Sequence, residues 1–110
     1  MRLSPEVLKI DPEVVEKHIT RFIRDYVNSV GAKGLVIGLS GGLDSSTAAT
    51  LAVRALGSDR VVALIMPEEE TYDPEAVKHA RMVADQLGIR VDYVDLTPIL
   101  KAFYKALPAF

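Results

Sequence analysis

Short unbroken apolar runs alternate along this chain with longer stretches in which apolar residues recur every three or four positions. The stretch from Asp11 to about Val30 is of the second kind. Val15, Ile19, Phe22, Ile23, Tyr26, Val27 and Val30 form one stripe, which predicts a helix with a buried face. Asp11-Pro12-Glu13 marks its start: an N-cap carboxylate, a proline at the first helical position and an acid at the positive end of the dipole. Gly31 stops it. Met1 to Ile10 is a lead-in, in which Ser4-Pro5-Glu6 starts a short helical turn. His18 stands one step off the stripe, at a boundary or surface position.

Three repeats of one rhythm follow. Gly34 to Leu39 is a strand whose Leu35-Val36-Ile37 run does not alternate, which predicts burial on both faces, as in a parallel sheet. After a glycine- and serine-rich turn, Thr47 to Leu56 is an alanine-rich helical run closed by Gly57. Arg60 to Met66 is a second buried strand, stopped by Pro67, and Glu68-Glu69-Glu70-Thr71-Tyr72 is a polar loop. Asp73-Pro74-Glu75 opens another helix by the device used at Asp11, with Val77, Ala80, Val83, Ala84 and Leu87 on one face and Gly88 at its end. Ile89 to Leu96 is a third, more alternating strand. Thr97-Pro98 starts a last helix, Ile99 to about Leu107. Strands alternating with helices imply parallel pairs joined by right-handed crossovers, so the expected class is α/β. The expected organisation is one unit, 1–110, with a leading helix over 11–31 and three strand-helix repeats over 34–110.

Charge and composition narrow the partners. The net charge is −2, so there is no basic footprint for nucleic acid and no polybasic patch for a membrane surface. No apolar run approaches the length of a membrane span, and no signal peptide is visible. The chain has no cysteine, which removes disulfides, thiolate zinc sites and cysteine nucleophiles and fits a cytoplasmic protein.

The chemistry concentrates in Gly38-Leu39-Ser40-Gly41-Gly42-Leu43-Asp44-Ser45-Ser46, between the first strand and the helix after it. A plain glycine turn explains Gly41 and Gly42, but not Ser40, Asp44, Ser45 and Ser46 crowded beside them. Gly38 to Gly42 fits the G-x-S-x-G nucleophile elbow, yet the only histidine after it, His79, falls inside a helix away from any strand's carboxyl end. The P-loop pattern fails for want of its lysine, and the G-x-G-x-x-G fingerprint fails because Ser40 stands where its second glycine belongs. What remains is S-G-G-x-D-S, which resembles the PP-loop ATP pyrophosphatases at five specified positions in a strand-turn-helix context. The chemistry agrees. Cleaving ATP between its α- and β-phosphates expels pyrophosphate, which needs a cradle of N–H and hydroxyl donors such as Ser40, Ser45 and Ser46. A magnesium ion must offset the triphosphate charge, and Asp44 is an oxygen ligand of the right type.

The wider context resembles the NAD synthetases within that superfamily. A long helix, the loop, a strand ending at Met66-Pro67, an acidic helix start and the segment Asp95-Leu96-Thr97-Pro98-Ile99-Leu100-Lys101-Ala102-Phe103 occur in order. The resemblance implies a Rossmann-like three-layer α/β sandwich of the adenine nucleotide α-hydrolase kind. It implies that Gly38, Leu39, Ser40, Gly41, Gly42, Leu43, Asp44, Ser45 and Ser46 wrap the phosphates of ATP, with Ser40 and Ser45 on the pyrophosphate. Asp44 would bind Mg2+, and the backbone at Met66 would lie against the adenine. The family reaction adenylates the carboxylate of deamido-NAD and lets ammonia displace AMP, giving NAD. The family is typically homodimeric. GMP synthetase domains and tRNA-thiolating enzymes share the loop and stand as alternatives, as does a non-catalytic nucleotide-binding unit that self-associates.

Family members continue past this point, so the chain is expected to be the N-terminal portion of a larger enzyme and inactive alone. Its three strands would belong to a five-stranded sheet, with the second and third to one side of the first and the first left as an open edge. Glu68-Glu69-Glu70 reads as a solvated loop rather than a metal site. Tyr72 and Tyr93 read as packing residues.

Overall fold

A computed structural model describes residues 4–108. The first three residues of the lead-in, and Ala109-Phe110 at the other end, lie outside the described residues. The lead-in forms a single 3-10 turn, Pro5–Leu8. Then come α1 (Pro12–Ser29), β1 (Leu35–Gly38), α2 (Leu43–Leu56), β2 (Val61–Ile65), α3 (Pro74–Leu87), β3 (Arg90–Tyr93) and α4 (Thr97–Ala106). The capping devices work as the sequence predicts. Asp11 accepts from the Glu13 N–H at 3.1 Å and Asp73 from the Glu75 N–H at 3.0 Å. Gly88 closes α3 in the left-handed region at φ 69°, where a side chain would be strained.

The strands form one parallel sheet in the order β1-β2-β3. Leu35 pairs with Val61 and Gly38 with Leu64; Val62 pairs with Arg90 and Ile65 with Tyr93. This is the expected order, with β1 at one edge. The core lies on one face of the sheet. There Val61, Ala63 and Ile65 meet Ala49 and Ala52 of α2 and Ala80 and Ala84 of α3, with Leu35, Ile37 and Val91 packed around them. Alanine at the contact positions lets the helix backbones come close to the strands. A larger side chain at such a site overpacks it by roughly 1–3 kcal/mol.

Two expectations about burial change. None of Val36, Val62 and Leu64 on the other face of the sheet is buried, and Val36 is 63% exposed. The unbroken β1 run is therefore covered on one face only among the described residues. The reason is topological: right-handed crossovers that all step the same way put α2 and α3 on the same face. The apolar stripe of α1 is likewise wider than its contact. Only Val27 of that stripe is buried, while Phe22 and Tyr26 stack on each other in solvent, their ring centroids 6.1 Å apart.

Helix α1 packs chiefly on α2. Arg24 donates from Nε to the Ala55 carbonyl at 3.0 Å, one of the carbonyls that the end of α2 leaves without an intrahelical partner. Arg60 fixes the connection into β1 by donating from Nε to the Lys33 carbonyl at 2.8 Å and from Nη2 to the Ala32 carbonyl at 3.3 Å.

Candidate functional site

The site is assembled at the carboxyl ends of β1 and β2. Helix α2 begins at Leu43, four residues before the expected Thr47. Serine and aspartate read as turn formers because they compete with the helix for backbone hydrogen bonds. Here the hydroxyls bond backwards along the helix instead. Ser46 Oγ donates to the Gly42 carbonyl at 2.8 Å, Thr47 Oγ1 to the Leu43 carbonyl at 2.8 Å and Thr50 Oγ1 to the Ser46 carbonyl at 2.8 Å. Asp44, Ser45 and Ser46 thus stand in the first turn of a helix, not in a loop.

The turn between β1 and α2 is knit by its own side chains. The Ser40 N–H donates to Ser45 Oγ at 3.2 Å, and the two hydroxyls lie 3.0 Å apart. The Gly42 N–H donates to Ser40 Oγ at 3.1 Å. Gly42 occupies the N-cap without a side-chain cap, so the N–H groups of Leu43, Asp44 and Ser45, which an α-helix leaves unpaired, have no side chain from the N-cap on them. Together with the positive end of the helix dipole, such donors attract an anion. Gly41 makes the turn possible. Its φ of 88° is in the left-handed region, and a Cβ there would run into the Ala76 carbonyl at the start of α3.

The sequence-predicted residues divide by placement. Ser40, Gly42, Ser45 and Ser46 converge on the head of α2. Gly38 is the last residue of β1, and a Cβ on it would approach the Met66 methyl at 3.1 Å, so Met66 lies directly beside the turn. Leu39 is buried in the core, leaving its main chain to face the site. Leu43 is 81% exposed and takes no part in the core. Asp44 is exposed in the first turn of α2 and makes no side-chain hydrogen bond among the described residues. No described group of three or more acidic or histidine side chains could hold a metal by itself. His79, excluded above as a nucleophile's partner, is exposed on α3.

Sequence reasoning missed the opposite wall. A cavity of about 180 Å³ lies between the β1 turn, the end of β2 and the head of α3, lined by Ser40 and Met66 on one side and Thr71, Tyr72, Asp73 and Ala76 on the other. Only the glycine spacing hinted at it, since a glycine is needed where another backbone comes close. Glu68 folds back on its own loop, accepting from the Thr71 hydroxyl at 2.7 Å and from the Glu70 N–H at 2.6 Å. Those bonds, the Thr71 hydroxyl's first, hold its carboxyl below the ordinary value. Tyr93 is half exposed and receives a 3.4 Å hydrogen bond from Arg81 Nη1.

Residues 15–109 match the family model described as NAD synthase. The chain is 56% identical over 91 residues to the NH(3)-dependent NAD(+) synthetase of Methanocaldococcus jannaschii, covering 83% of this chain and 34% of that protein. It is 45% identical over 102 residues to the enzyme of the same name from Hyperthermus butylicus, covering 93% and 37%. The chain therefore spans about a third of the length of the curated relatives it matches. Its fold superposes on the NH3-dependent NAD synthetase from Campylobacter jejuni with a TM-score of 0.83 at 31% identity, over 92% of this chain and 43% of that one. With the S-G-G-x-D-S residues gathered at the head of α2 in a parallel α/β sheet, and with the family model covering nearly its whole length, this chain belongs to the NAD synthase family.

Proposed function

We propose that the protein amidates deamido-NAD with ammonia at the expense of ATP, and that these residues supply the wall that grips the triphosphate. The observation that carries the reading is the convergence of Ser40, Gly42, Ser45 and Ser46 on the head of α2. Pyrophosphate leaves when the α-phosphate passes to the substrate carboxylate, and ammonia then displaces AMP. Bond cleavage between the α- and β-phosphates concentrates negative charge on the leaving oxygens. The main-chain donors of Leu43 to Ser45 and the hydroxyls of Ser40 and Ser45 are preorganised to meet that charge. Gly38, Leu39, Gly41, Gly42 and Ser46 shape the cradle through their backbone, and Met66 borders the adenine. The amidation belongs to the whole protein.

Asp44 suits magnesium. The ion takes one or two carboxylates and fills its other positions with phosphate oxygens and water, and Asp44 is an exposed carboxylate beside the phosphate cradle with no competing side-chain partner among the described residues. Bound there, Mg2+ would offset triphosphate charge. The reading includes a cytoplasmic location, supported by the lack of cysteine. It also includes a homo-oligomer, supported by exposed apolar side chains such as Phe22 and Phe103. No described helix is long and apolar enough to cross a membrane.

Calorimetric titration of the protein with ATP, with and without magnesium, tests the cradle. Asp44→Ala should weaken binding at least tenfold when magnesium is present and change little without it. Equal binding by the variant in both conditions would remove Asp44 from the metal role, and silence from the unsubstituted protein would end the ATP reading.

A further inference from the structure

Asp95-Leu96-Thr97 lies far along the chain from the serine-glycine turn, yet it is bonded to the loop that walls the same cavity. The Leu96 N–H donates to the Pro67 carbonyl at 2.9 Å. The Glu69 N–H donates to Thr97 Oγ1 at 3.0 Å. The Thr97 N–H in turn donates to Asp95 Oδ1 at 2.9 Å, which sets the direction in which α4 starts. Lys101 on the next turn pairs with Glu69 at 3.3 Å, an exposed contact that adds little by itself.

The held segment is placed to matter. Pro67 and Tyr72 line the cavity beside Ser40 and Met66, and they also line a second cavity of about 390 Å³ with Glu68, Glu69, Asp95 and Thr97. Residues 66–73 are thus a partition between two cavities. Within the loop, only the Glu68 side chain ties the backbone locally. Two main-chain positions, Pro67 and Glu69, are fixed from the β3–α4 junction.

We infer that Thr97, oriented by Asp95, is a positioning residue for the nucleotide cleft: it holds the Glu69 amide and so sets where Pro67 and Tyr72 stand opposite Ser40. The inference rests on the reading of that cleft as the ATP site. Its chemistry is specific to a hydroxyl. Valine has the same shape but cannot accept the Glu69 N–H, whereas serine keeps the acceptor.

The test compares Thr97→Val with Thr97→Ser in the full-length protein by two measurements. The first is amide hydrogen exchange at Glu69, referred to Leu39, whose N–H is held by the Leu64 carbonyl at 2.9 Å. The second is ATP affinity in the presence of magnesium. Thr97→Val should speed Glu69 exchange relative to Leu39 and weaken ATP roughly fivefold, about the value of one net hydrogen bond. Thr97→Ser should restore both. Faster exchange with unchanged affinity would overturn the inference, as would unchanged exchange. Ser45→Ala separates the two readings: if it loses ATP while Thr97→Val does not, the cleft stands and the clamp falls. If the unsubstituted protein binds no ATP, the cleft reading itself fails and takes the clamp's role with it.

Discussion

The two strand-to-helix junctions that face each other across the site do the same topological work by opposite means. After β1 the chain turns in residues 39–42 and is held by hydrogen bonds among Ser40, Gly42, Ser45 and Ser46. After β2 it takes residues 66–73 and is held by Leu96 and Thr97 from the far side of β3. The first junction is preorganised by its own composition, which suits the proposed phosphate cradle, since donors already in position need no rearrangement when charge develops. The second is set by tertiary partners, so its position can change with whatever moves α4.

Gly41→Ala should break the first junction with the largest effect. Both the left-handed φ and the collision with the Ala76 carbonyl oppose a methyl group, and such strain costs about 1–3 kcal/mol. Denaturant unfolding should show that loss, and ATP titration should show no binding. Retained binding would mean that the turn is less rigid than its geometry implies.

Asp73→Ala acts on the second junction and should cost less. Removing an N-cap carboxylate destabilises a helix by about 1 kcal/mol, and among the described residues the Asp73 side chain accepts from the Glu75 N–H alone. Asp11→Ala removes the same device from α1, away from the cavity. The two variants should lose similar stability, while only Asp73→Ala weakens ATP binding. Equal affinity in both would dissolve the contrast between the capped helix that borders the site and the one that does not.

Acidification should produce the smallest and most selective change. Bonds from Thr71 and Glu70 hold Glu68 below its ordinary value. Hydrogen bonds from the Thr97 backbone and then its hydroxyl, with Lys101 adding to them, do the same for Asp95. A carboxyl whose pKa is depressed by folding contributes stability at neutral pH that is lost as pH falls through the folded value. The Glu70 and Thr97 amide signals in NMR should therefore each shift at a pH below the ordinary carboxylate range. Those of Ser40 and Gly42, bonded to hydroxyls, should stay. A joint shift of all four would mean that the two junctions move as one.

What was legible followed from local rules. Proline after aspartate marked the starts of α1 and α3, glycine marked the helix ends, and apolar runs marked the strands in their observed order. The start of α2 was misjudged because Ser45 and Ser46 have two uses. The same hydroxyls that cap loops can bond to a carbonyl three or four residues back, and only the placed backbone chose between them. The coverage of β1 was misjudged because an apolar run records what a strand tolerates, not which face its neighbours reach; Val36 is apolar and 63% exposed.

By itself the sequence determined the α/β class, the element order and the place of the S-G-G-x-D-S turn between a strand and a helix, because each depends on residues near one another in the chain. Only the tertiary structure decided that the helices α2 and α3 share one face, that Ala76 stands against Gly41, and that Thr97 holds Glu69. Those contacts join residues whose separation leaves no periodic trace, and their energies exist only once the sheet has brought the strand ends together.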